Sequence, residues 1–305
     1  LSERKVPRKN VFGIPFRDLL TGEPVTVSEQ IVTGRNVVTR VGGVPVFYLP
    51  RTQFDANDPL GPITGLSFSQ NRIFGTQFYS TFDVYELLAL RPPPGHAWRL
   101  NLDYLSKRGP AGGTDYTYRI PPAEPGQLPV GNGLIKLYGI QDDGFDLLGG
   151  FRGLEPDPRG FRGRATWRHQ QEVTDRLYFQ GQFSYLSDKN FLEQFFKQEF
   201  DTGPNQETFG YLTWQDRNYG ASALLKQRVS RDWMTDTNWL PRVDGHLLGQ
   251  TFLDDLFVYS ARANAGYAQL RPAEQSPYPV LPTDRRNETG RFDLLQELSA
   301  PVALG

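Results

Sequence analysis

Hydrophobic and polar residues alternate with a period of two along much of this chain. In WRLNLDY, Trp98, Leu100, Leu102 and Tyr104 alternate with Arg99, Asn101 and Asp103. In LYFQGQFSY, Leu177, Phe179, Phe183 and Tyr185 oppose Gln180, Gln182 and Ser184. In YSARANAGY, Tyr259, Ala261, Ala263, Ala265 and Tyr267 oppose Ser260, Arg262, Asn264 and Gly266. Successive side chains of a strand leave opposite faces, so each stretch predicts a strand with one apolar and one polar face. Trp98 with Tyr104, and Tyr259 with Tyr267, stand at the two ends of an apolar face with smaller residues between them. A soluble sandwich gives the same alternation. Rings at both ends of the apolar band fit better a barrel strand whose aromatics sit at the two membrane interfaces.

The same pattern predicts further strands around 64–74, 75–87, 113–120, 134–141, 161–173, 207–215 and 218–229. Connectors rich in Gly, Pro and Asp separate them, among them 91–96, 107–113, 121–133, 142–160 and 271–290. Their uneven lengths suit a barrel with tight turns on one rim and long loops on the other. One stretch breaks the period. In SDKNFLEQFFKQEF (187–200), Phe191, Phe195 and Phe196 recur at helical spacing, with Ser187 or Asp188 as N-cap. It predicts a short amphipathic helix that packs on a barrel rim or plugs its interior.

Composition narrows the classes. A chain of 305 residues can hold one large all-β domain or two smaller ones. A net charge of −1 argues against a nucleic-acid footprint or a strongly basic membrane-surface protein. Of 33 basic residues, 26 are Arg and 7 are Lys. That bias suits phosphate and carboxylate recognition, and equally a GC-rich genome, which the 31 Gly and 24 Pro also fit. Aromatics make up 13% of a chain whose mean hydropathy is −0.50, which means a β-rich core or aromatic girdles. There is no Cys, so disulfides and Cys zinc sites are excluded, and His96, His169 and His246 show no ligand spacing. No 18-residue apolar run exists, which excludes a transmembrane helix.

Searching for chemistry finds none. GASAL (220–224) lacks the second glycine of a nucleophile elbow, and GNGLIK (131–136) fits neither nucleotide-binding glycine motif. Asp142–Asp143 and Asp254–Asp255 are adjacent carboxylates whose side chains diverge in a strand, and they read as solvated loop or strand-end features. NET (287–289) fits a glycosylation sequon that is common by chance. The expectation is a protein that is not an enzyme and needs no cofactor or metal.

Three motifs carry a resemblance. VVTRVGGVPVFYLPRTQFDANDPLGPITGLSFSQNRIFGTQFYSTFDVY (37–85), YLSDKNFLEQF (185–195) and WLPRVDGHLLGQ (239–250) resemble segments of the LPS-assembly protein LptD family, also called OstA or organic solvent tolerance protein. The resemblance touches most of the chain beyond about residue 30. It implies an all-β fold: an antiparallel transmembrane β-barrel segment preceded by the last strands of a periplasmic β-jelly-roll. Residues 1–52 would end the jelly-roll and form the hinge, and 53–305 would be the N-terminal part of an incomplete outer-membrane barrel. Such a piece ends where the family continues with further strands. Gly43, Pro45, Tyr48 and Pro50 would form a hinge unable to continue the sheet on either side, and Pro59 and Pro62 would weaken the first strand as a gate.

The implied function is transport of lipopolysaccharide from the periplasm and its insertion into the outer leaflet of the outer membrane. Arg99, Asn101, Asp103, Gln180, Gln182, Arg262 and Asn264 would face the lumen. The implied partners are lipopolysaccharide, outer-membrane lipid, an LptE-like plug lipoprotein and a periplasmic LptA-like β-jelly-roll bridge. The alternative is a passive porin-like channel or a cell-surface sugar-binding β-protein.

Overall fold

A computed structural model describes residues 5–28, 31–41, 43–55, 61–122, 124, 130–148, 154–155, 160–274 and 285–300. The fold is all-β, as expected, and antiparallel pairing dominates. The chain divides into two compact units: Leu1–Arg119 with Ile135–Gly163, and Ile120–Leu134 with Arg164–Gly305.

The first unit opens with β1 (Lys5–Pro7), β2 (Arg17–Asp18) and β3 (Thr26–Ser28), followed by β4 (Ile31–Val41) and β5 (Val44–Asp55). A meander follows: β6 (Ile63–Asn71), β7 (Gly75–Asp83), α1 (Val84–Leu87), β8 (Leu90–Arg91), β9 (Ala97–Leu105), β10 (Gly109–Ile120) and β11 (Gly131–Asp142). β6, β7, β9, β10 and β11 pair in that order. β12 (Asp146–Leu147) and β13 (Leu154–Glu155) form a short ribbon. The helix α1 was not expected. It ends the strand foreseen over 75–87 at Asp83, whose carboxylate accepts from the Glu86 amide as N-cap. The N-terminal stretch folds onto α1 and β8. Arg8 pairs with Glu86 at 2.8 Å, Asn10 donates to the Leu87 carbonyl, and Phe16 is buried beneath the Arg8 guanidinium.

The proline-bracketed segment corrects the expectation that it could not continue a sheet. Val44–Asp55 is a regular strand, paired with Ile31–Val41 across a turn where Gly43 takes φ +88°. Each strand of this two-stranded ribbon has one unpaired side, where a proline's missing donor leaves no ladder bond unmade. Pro45 sits beside a register shift, and Pro50 lies opposite Asn36, itself at φ +55°.

The second unit, which takes in β14 from Arg164 onward, is a longer meander. β14 (Gly160–Thr174), β15 (Leu177–Leu186), β16 (Phe209–Asp216), β17 (Tyr219–Lys226), β18 (Asp236–Phe252), β19 (Phe257–Arg271) and β20 (Asn287–Ser299) pair each with the next. β20 begins inside a stretch expected to be loop. Between β15 and β16 lie α2 (Phe191–Phe195) and α3 (Lys197–Thr202). The single helix expected over 187–200 is therefore two, broken at Phe196, whose φ of −134° and ψ of 51° are not helical. The N-cap position is Asn190 rather than Ser187 or Asp188. The Asp188 carboxylate instead accepts from the Asn190 amide.

Candidate functional site

Polarity on these meanders departs from that of a soluble sandwich: many polar side chains are buried beside Leu105, Ile140, Leu186 and Phe191, and many large apolar ones are exposed. Among the described residues the buried set holds Arg108, Arg162, Arg164, Asp142, Asp146, Gln77, Gln182, Ser184 and Thr166. Phe68, Leu102, Tyr104, Phe161, Leu225 and Phe292 stand exposed. Register shows that this is a property of faces. In the first unit, Phe68 lies opposite Phe78 and Phe78 opposite Tyr104, one row of rings across three strands. In the second, Trp167 pairs with Phe183, Phe179 with Leu212 and Leu177 with Trp214, and beyond them Ala221 and Ala223 continue the apolar face.

The opposite faces carry the polar residues singled out from sequence. On β9, Arg99, Asn101 and Asp103 share a face with Thr81 and Asp115. Asn101 receives a hydrogen bond from Thr81 and donates to Asp115 at 2.8 Å, and Asp103 accepts from the Tyr138 hydroxyl. On β15, Gln180 and Gln182 share a face with Ser184, and Gln182 accepts from Arg168 while donating to the carbonyls of Asn205 and Glu207. On β19, Arg262 lies opposite His246 and Asn264 opposite Asp244. Asn264 donates to the Asp244 carboxylate, which Arg242 also grips at 3.0 Å and 3.1 Å. Gln180, Gln182, Arg262 and Asn264 therefore lie on one face of the second unit, which between them also carries Phe209, Tyr211 and Leu224. Gly43, Pro45, Tyr48 and Pro50 all lie exposed on the β4–β5 ribbon. Pro62 is buried just before β6, its carbonyl accepting from the Asp83 amide, and Pro59 lies outside the described residues.

Two charge clusters escaped the sequence reading. In the first unit, Arg108 and Arg162 meet Asp142 and Asp146, with all four side chains at most 1% exposed. Arg108 reaches Asp142 at 2.6 Å and Asp146 at 2.7 Å, and Arg162 reaches them at 2.7 Å and 2.9 Å. Asp142 had read as solvated. Its neighbour Asp143 is exposed, as divergent side chains require, but Asp142 itself turns inward. In the second unit, Arg164, Thr166 and Arg168 follow one another on the polar face of β14, beneath α3. Arg164 donates to Glu199 at 2.6 Å, and its guanidinium lies 3.7 Å from the centre of the Phe196 ring. Arg164 Nε, Thr166 Oγ1 and Arg168 Nη2 are buried with no hydrogen-bond partner. A buried donor left unpaired costs about 1–3 kcal/mol, so three side by side need an explanation. The period-two spacing of Arg162, Arg164, Thr166 and Arg168 was the signal in sequence that could have found both clusters.

No group of three His, Asp or Glu able to hold a metal occurs among the described residues, and no described helix is long and apolar enough to cross a membrane. The latter says nothing of crossing by strands.

Comparison with known proteins adds to this geometry. A family model described as LPS transport system D matches residues 160–304, which include the YLSDKNFLEQF and WLPRVDGHLLGQ motifs but not the stretch 37–85. The LPS-assembly protein LptD of Xanthomonas oryzae pv. oryzae (strain MAFF 311018) is 37% identical over 164 residues, 52% of this chain and 19% of that protein. LptD of Xanthomonas euvesicatoria pv. vesicatoria (strain 85-10) is 37% identical over 90 residues, 30% of this chain and 10% of its own length. The chain thus spans 19% of the length of the first of these relatives. Residues 160–304 thus match the LptD family model, and over about half of its length the chain is similar to these LptD relatives.

Proposed function

We propose that this chain forms part of an outer-membrane protein that carries lipopolysaccharide from the periplasm and inserts it into the outer leaflet. The observation that carries the reading is the two-faced sheet. Rings and aliphatic side chains stand exposed on one face, and charged and amide side chains hydrogen-bond to each other on the other. In water such apolar faces would be a liability; in a bilayer they are the expected lipid contact, with strands as the only alternative to helices for crossing. The polar faces would line an enclosed wet passage for the sugars and phosphates of the cargo, and nothing in the proposal calls for catalysis.

Within this reading, residues 1–52 are the end of a periplasmic β-jelly-roll with its hinge, and 53–305 are the first part of the barrel. Support comes from the β4–β5 ribbon, which pairs with no other described strand. Gly43, Pro45, Tyr48 and Pro50 lie on its exposed surface, and Pro59 and Pro62 would loosen the first barrel strand as a gate. An LptE-like plug lipoprotein and an LptA-like bridge would complete the assembly.

Cysteine accessibility in the full-length protein reconstituted in liposomes tests the sidedness. Asn101→Cys and Arg262→Cys should react with a membrane-impermeant, water-soluble maleimide, whereas Leu102→Cys and Ala263→Cys should react only with a bilayer-dissolved reagent. The reverse pattern would refute the assignment of faces, and with it the transport reading.

A further inference from the structure

We propose that Arg164, Thr166 and Arg168 form an anion-binding subsite on the polar face of β14, which Glu199 of α3 occupies in this structure as an internal stand-in for a ligand's anionic group. The three residues are spaced two apart on one strand, so their side chains project in a row from the same face. Arg164 and Thr166 are more than nine-tenths buried, and each presents a donor that no protein group accepts. Arg168 adds a third such donor, Nη2, which stops 4.0 Å short of Glu199 Oε1. Glu199 thus accepts from the row through Oε2 alone, and its Oε1 lies too far from Arg168 for a hydrogen bond, so the carboxylate does not span the row. A phosphate monoester presents three acceptor oxygens and suits the planar fork of arginine.

The element bringing Glu199 to this row is built to leave. α2 is anchored, with Phe191 fully buried and Leu192 5% exposed. α3 has no buried residue, and the non-helical backbone at Phe196 separates the two. Contacts of α3 and its hinge with the strand include the Arg164–Glu199 ion pair and the Arg164 guanidinium over the Phe196 ring. An incoming anion that displaces the Glu199 carboxylate takes over the arginines and frees α3 to swing on Phe196.

The occupant rests on the proposed function: a phosphorylated glycolipid headgroup, with free phosphate sharing its chemistry. The test uses the full-length protein in detergent micelles, with inorganic phosphate, diphosphoryl lipid A and its dephosphorylated form as titrants in calorimetry. Heat-modifiable electrophoretic mobility monitors folding. Glu199→Gln removes the internal competitor and should tighten diphosphoryl lipid A binding by about tenfold. Arg168→Gln, at a side chain 24% exposed and so tolerant of change, should weaken it at least about fivefold. A purely structural ion pair predicts the opposite sign for Glu199→Gln, and weaker or unchanged binding in that folded variant overturns the proposal. Should Glu199→Gln fail to fold, unchanged affinity in Arg168→Gln overturns it alone. Phosphate binding that Glu199→Gln strengthens, without binding of either lipid, upholds the subsite and removes the glycolipid as its occupant. Failure of the transport reading is then separable from failure of the site.

Discussion

At the scale of single residues, the buried square of Arg108, Arg162, Asp142 and Asp146 shows how this fold handles charge. Each guanidinium meets both carboxylates, and the Asp142 carboxylate also accepts from the Gly144 amide. Burial of four charges is tolerable only when all are matched, because desolvation of an unmatched ion costs more than its partners return. Arg162→Leu should therefore destabilise the folded protein by about 3–5 kcal/mol, read as a lower midpoint for heat-induced loss of the folded electrophoretic species. Arg99→Leu, at an exposed side chain, should shift it by less than about 0.5 kcal/mol. Glycines enforce the same tight geometry. A Cβ on Gly109, which has φ +127°, would lie 2.1 Å from the Gln141 carbonyl oxygen. None of this was legible locally, since Asp142 precedes an ordinary polar loop and only the return of β14 brings Arg162 to it.

At the scale of elements, the strands were readable and their boundaries less so. WRLNLDY lies in a strand over Ala97–Leu105, and the stretch expected over 161–173 is Gly160–Thr174. Period two is a local property of the chain, so it survives folding unchanged. The helical break at 187–200 was also legible, because the spacing of Phe191, Phe195 and Phe196 cannot line one strand face. Its division into α2 and α3 was not, since no proline or glycine marks Phe196, where the backbone leaves the helical range. Phe191 is the anchor: it is 0% exposed, and its ring centre lies 5.2 Å from that of Phe195 and 5.9 Å from that of Phe196. Phe191→Ala should cost about 3–5 kcal/mol in thermal or denaturant unfolding. Phe200→Ala, at a side chain 46% exposed, should cost less than about 0.5 kcal/mol. β20 was not foreseen: 271–290 read as a connector and no strand was expected after it, yet Asn287–Ser299 pairs with β19.

At the scale of the whole molecule, the two-faced strands make one claim about solvent. Trp214 on β16 is 38% exposed, between Leu177 on one neighbouring strand and Ala221 on the other. In the full-length protein reconstituted into liposomes, a variant retaining Trp214 as its only tryptophan should be quenched strongly by lipids brominated along the acyl chain. Aqueous iodide should quench it weakly. Strong iodide quenching with no bromolipid effect would place that face in water and remove the barrel reading for the second unit.

The sequence by itself determined that the chain is β-rich, which residues share a face of each strand, and that no nucleotide-binding or nucleophile-elbow motif is present. All of these follow from local spacing and residue chemistry. Only the tertiary structure decided which polar residues meet. Asn264 finds Asp244, Asn101 finds Asp115, and Arg162 finds Asp142 across turns whose lengths no periodicity encodes. It also decided that the proline-bracketed segment is strand, because an unpaired ribbon edge excuses a missing donor. A strand's faces are written in its own residues, but its partners are set by register and chain return, which are properties of the assembled sheet.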